Sequence, residues 1–98
     1  MARFDLYRSR DGTMLLDCQN DLLSYLNTRI VVPLASPDDA IQVEARLNPL
    51  LDIDGDEMVM LTHFAAAVPI SMLGKRTGSA IANERAIAGA LDLLLSGY

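Results

Sequence analysis

Ninety-eight residues make one domain, residues 1–98, with room for a thin core. Eight basic and thirteen acidic residues leave a net charge of −5, which argues against direct nucleic-acid binding and suits a basic partner. An apolar fraction of 51% against 21% charged exceeds what one small core needs and suggests a dimer interface. Cys18 stands alone, so an internal disulfide is ruled out and a reducing cytoplasm is the expected location. Arg3, Asp5 and Arg8 interrupt the apolar residues of 1–8, so no secretory leader is expected there. No apolar run approaches the ~20 residues of a membrane span, and no membrane association is expected.

In chain order, residues 2–7 alternate, with Phe4 and Leu6 on one face, and predict a half-buried strand. Asp11-Gly12 is a turn signal, and Met14 to Cys18 resumes as a second strand, giving a hairpin. Gln19 to Asn27 reads as a loop with one helical turn. Its Leu22, Leu23, Tyr25 and Leu26 either tuck under the sheet or stand out for a partner. Thr28 to Ala35 is the strongest strand signal, β-branched and apolar on both faces, so both faces are expected to be covered. Pro33 cannot donate to a ladder and is expected at an edge or a bulge. Ser36-Pro37-Asp38-Asp39 has the form of a helix start, yet Ile41, Val43, Ala45 and Leu47 alternate like a strand. Residues 36–48 are therefore read as a loop with short structure.

Residues 50–53 and 58–62 flank Asp54-Gly55 and predict a second hairpin. Val68 to Leu73 predicts a strand with Val68, Ile70 and Met72 on one face. Gly74 to Ser79, with two glycines and two cations, reads as a loop. From Asn83 to the end comes the one clear helix. Asn83 is placed to cap it, Glu84 to meet its dipole, and Gly97 to end it in a left-handed conformation. Ile87, Leu91, Leu94 and Leu95 form its apolar stripe. The fold class is α+β, mainly β: short strands in a compact curved sheet or small barrel, covered by the helix.

No catalytic constellation emerges. Asp52 to Glu57 misplaces the glycine of a calcium loop and lacks flanking helices, so no metal is expected. Gly74-Lys75-Arg76-Thr77 lacks the upstream glycine and the hydroxyl of a phosphate loop. His63 reads as an incidental loop residue and Cys18 as a small buried filler. Met14, Met58, Met60 and Met72 read as core strand residues. Arg3, Arg8, Arg10, Arg29, Lys75 and Arg76 look scattered, which disfavours an RNA groove. No cofactor is expected. These residues point to binding rather than catalysis.

The order and spacing of several stretches carry a resemblance over nearly the whole length. They are Asp17-Cys18-Gln19-Asn20-Asp21-Leu22-Leu23, then Arg29 to Ala35, then Phe64 to Ile70 before a glycine, and the helix ending Ser96-Gly97-Tyr98. Together they resemble the CcdB family of bacterial toxins. The resemblance implies an SH3-like, CcdB/MazF-type antiparallel barrel with a C-terminal helix, assembled as a homodimer. It implies a toxin that is not an enzyme, binding the GyrA subunit of DNA gyrase and poisoning the topoisomerase. A CcdA-type antitoxin would neutralise it, and operator DNA would be bound only through the antitoxin complex. By motif, the gyrase-contacting residues would be Leu22, Leu23 and Ser24 in the loop and Asp92, Ser96, Gly97 and Tyr98 at the helix end. The family's best-known ending is Trp-Gly-Ile, with Asn at the place of Asp92. Here Ser96 replaces the tryptophan and Tyr98 the isoleucine, which removes an aromatic anchor from that end. The alternatives are an RNA-cleaving toxin of MazF type on the same fold, or a degenerate homologue that binds only antitoxin.

Overall fold

The computed structural model describes residues 2–39 and 44–97. Among the described residues, seven strands, β1 (Asp5–Arg8), β2 (Met14–Asp17), β3 (Thr28–Ala35), β4 (Leu50–Ile53), β5 (Asp56–Met60), β6 (Ala66–Pro69) and β7 (Lys75–Ser79), precede one α-helix, α1 (Glu84–Ser96). All described pairings are antiparallel, in the order β4-β5-β3-β2-β1-β7, with β6 added alongside β3. The sheet curls into a half-barrel under α1, the mainly β architecture that the sequence predicts.

Alternation builds the core. Leu6 faces Leu16, and Leu16 faces Val32 across adjacent strands, so the three share one face, and all are buried. Leu34 pairs with Met60 to continue that layer, and Ile87 and Ala90 of α1 seal it. Burying Ile87 alone stabilises the fold by roughly 1.5–3 kcal/mol. The opposite face of β1–β3 is buried too. Tyr7, Asp17, Val31 and Arg29 line it, so β1 is covered on both sides rather than half-buried.

Both hairpins form on the expected turns. Gly12, Asp54 and Gly55 take positive φ, which the Asp-Gly pairs supply at low cost. Pro33 lies where β3 changes partner, from β6 at Thr28–Val31 to β5 at Leu34–Ala35. Its carbonyl accepts the Leu61 N–H there, and a missing donor matters little.

Four further expectations are corrected. The predicted strand 68–73 ends at Pro69, and Ile70–Met72 form a 3-10 turn with Met72 exposed rather than in the core. Ile70 N–H closes the ladder onto Asn27, and the chain then turns towards β1. Residues 75–79, read as a loop, form β7 along β1. Gly74 makes this possible: a Cβ there would stand 1.7 Å from the Arg8 carbonyl oxygen. Asn83 does not cap α1. Its side chain instead donates to Asp52 O at 2.9 Å and accepts from Asp52 N at 3.3 Å, satisfying the edge of β4. The stripe of α1 narrows to Ile87, Ala90 and Leu91, while Leu94 and Leu95 are exposed. Gly97 ends the helix in the expected left-handed conformation, φ 79°, its N–H bonded to Leu93 O. In the 36–48 loop, Ser36 and Asp39 close a turn, while Ile41 and Val43 lie outside the described residues.

Candidate functional site

The loop after β2 is rigidly built. Asp21–Leu23 forms a 3-10 turn capped by Asn20, whose side chain accepts the Leu22 N–H. Asp21 accepts the Arg3 N–H at 2.8 Å, tying the turn to the chain just before β1. Buried Gln19 links both sides, donating to Leu23 O at 2.9 Å and accepting the Ile30 N–H at 3.1 Å. The loop backbone is thus held against β3 while its side chains face outward. Leu22 is 83% exposed and Tyr25 77% exposed, so the apolar residues stand out rather than tuck under.

At the other predicted half, Asp92 and Ser96 lie one turn apart on α1, and both are exposed with Gly97. Leu95 sits between them at 80% exposure. The sequence assigned it to the core stripe, and its period gave no other signal. Tyr98 lies outside the described residues. The structure gathers Leu22, Leu23 and Ser24 on one turn and Asp92, Ser96 and Gly97 on one helix end. Among the described residues no hydrogen bond or ion pair links the two groups.

The charges depart from the sequence reading. Arg29 is fully buried, not a surface cation. Its Nε donates to Asp17 Oδ2 at 2.9 Å, and Nη2 lies 2.6 Å from the same oxygen, in ion-pair contact but off hydrogen-bond alignment. The other Asp17 oxygen accepts the Gln19 N–H, which joins the ion pair to the brace of the exposed loop. Arg8 and Lys75 stand directly opposite each other, with Arg76 next to them, so the β1–β7 edge is basic rather than part of a scatter. That pairing is long-range, and no local pattern signals it. Arg76 also pairs with Asp5 at 3.1 Å. Burial pushes the Asp5 carboxyl up, but Arg76 and the Ala2 N–H outweigh it and hold it below its ordinary range.

Chemistry elsewhere serves structure. His63 Nδ1 faces the Asn48 side-chain amide at 3.1 Å and its ring stacks on Phe64, so it anchors a loop rather than being incidental. The Asn48 amide also donates to Met60 O, which leaves His63 Nδ1 as the acceptor. Burial and the Asp17 charge push the Cys18 thiol up to about 12, the setting of an unreactive filler. The Asp52 carboxylate accepts the Gly55 N–H and closes its own turn. Among the described residues no three metal-ligating side chains cluster.

The family model for CcdB protein matches residues 3–97. Solved structures that share the fold include the following three. An endoribonuclease from a mycobacterial species is 17% identical over 97% of this chain and 90% of its own, at a TM-score of 0.76. An endoribonuclease in complex with its cognate antitoxin, also mycobacterial, is 16% identical over 97% and 94%, at a TM-score of 0.77. The Mycobacterium tuberculosis toxin MazF-mt6 is 17% identical over 92% and 93%, at a TM-score of 0.67.

Proposed function

Since the chain belongs to the CcdB family of toxin–antitoxin toxins, we propose that it acts without catalysis, by binding the GyrA subunit of DNA gyrase. The contacts are Leu22, Leu23 and Ser24 in the braced loop and Asp92, Ser96, Gly97 and Tyr98 at the helix end. The observation that carries this reading is the exposure of Leu22 and Leu95 on rigid elements, at 83% and 80%. Apolar side chains held out on ordered backbone cost solvation in the free protein and repay it against a partner. Leu95 supplies the bulk that the family tryptophan would give at Ser96. Gly97, lacking a Cβ, lets partner backbone approach.

The toxin is a homodimer in the cytoplasm. Val32 is absorbed by the core, so the dimer reading rests on Ile30, Phe64 and Ile70, exposed along the β3–β6 ladder and its adjoining turns. A CcdA-type antitoxin neutralises it, and operator DNA is engaged only through that complex. The acidic charge of the chain supports leaving DNA contact to the antitoxin. No metal or cofactor takes part. Retention of GyrA on immobilised toxin, released by Leu22→Asp, tests the reading. GyrA retained equally by that variant would refute the assigned surface.

A second reading, RNA cleavage, is favoured by the fold shared with endoribonucleases. The β1–β7 edge with Arg8, Lys75 and Arg76 is the basic surface it would use. Cleavage of RNA in EDTA by protein free of contaminating nuclease, lost on Arg8→Gln with Lys75→Gln, would establish it in place of the first.

A further inference from the structure

One turn before the helix-end half of that site, Arg46 and Arg85 open onto one cleft of about 280 Å³ between the 44–49 loop and the first turns of α1. Neither guanidinium makes an ion pair or hydrogen bond among the described residues, and no carboxylate lines the cleft. In a chain of net charge −5, two unpaired arginines facing one cleft run against the background. Pro49, Ala86, Gly89 and Ala90 complete the lining. Gly89 weakens the helix relative to alanine, yet a Cβ there would meet nothing within 4 Å. No neighbour within the fold requires the glycine, so the space it leaves faces outward.

We propose that this cleft docks an acidic segment of a protein partner, whose carboxylates pair with Arg46 and Arg85. Guanidinium forks match carboxylates two bonds at a time, which gives such a contact direction as well as charge. The low wall at Gly89 lets the backbone of the segment lie close to α1, within reach of both arginines. The cleft shares a face of α1 with Asp92 and Ser96 but includes neither, and its test involves no gyrase.

The test measures fluorescence anisotropy of a labelled peptide of alternating glutamate and alanine, titrated at low salt with the full chain. Wild-type protein binds it, and added salt releases it. Arg46→Gln with Arg85→Gln weakens binding about tenfold or more. Gly89→Leu weakens it separately by filling the cleft, and Gly89→Ala raises the melting temperature because the space is open. Lys75→Gln, on the basic β1–β7 edge, leaves binding unchanged. Equal binding by the double arginine variant, no binding by wild type, or loss with Lys75→Gln alone would overturn the proposal. So would binding of a labelled oligonucleotide, but not the peptide, through the same two arginines.

Discussion

Asp17 and Arg29 join β2 to β3 through side chains with no solvent exposure. A buried pair of this kind adds little net stability over an apolar pair, but removing one partner strands a charge. Asp17→Ala should therefore cost about 3–5 kcal/mol in urea unfolding. The double change Asp17→Leu with Arg29→Met should recover most of that loss. Gly74→Ala should cost about 2 kcal/mol or more, since β7 or β1 must move to clear the Arg8 carbonyl. Acid acts through other groups. Asp5 is lowered by Arg76 and Ala2 against its own burial, and Asp11 is lowered to about 2 by Ser9 and Thr13. Both carboxyls have folded values below their unfolded ones, so their stabilisation is present above about pH 4. It is lost as pH falls from there towards 2, and an acid titration followed by circular dichroism should place the loss in that window. Asp11→Asn should remove the Asp11 share above about pH 4 and matter progressively less as pH falls through about 2.

The elements were legible where local pattern decides them and illegible where distant pairing does. Both Asp-Gly hairpins, β3 and α1 follow from alternation, turn chemistry and helical period. β7 does not, because Lys75 to Ser79 has no strand pattern and is ordered by β1 across most of the chain. The failed cap has the same origin: Asn83 had a better offer from the free edge of β4. The candidate loop was read correctly as one turn, but its brace was invisible, since Gln19 reaches Ile30 only after folding. Leu95 escaped notice because a period shows which residues share a face and not how far along that face burial extends. Ile87→Ala should cost about 2–5 kcal/mol, whereas Leu95→Ala should change stability by no more than about 0.5 kcal/mol. Deleting residues 96–98 should likewise leave the melting temperature within a few degrees, because Ser96 and Gly97 are exposed. GyrA binding and growth inhibition should both be lost.

At the scale of the molecule, a chain of the CcdB family shares its fold with an endoribonuclease, and architecture does not choose between binding a protein target and cleaving RNA. The two readings call on different surfaces of this chain: the exposed Leu22 and Leu95 for a protein target, the basic β1–β7 edge for RNA. Light scattering at micromolar concentration should give twice the chain mass of 10.7 kDa, and a monomer mass would remove the dimer from the account. The most direct measurement is co-purification of GyrA with the toxin, wild type against the 96–98 deletion. The account predicts GyrA retained by the wild type and absent from the truncated protein at equal fold stability. Wild-type toxin that retains no GyrA, or a truncated one that retains it equally, would contradict it.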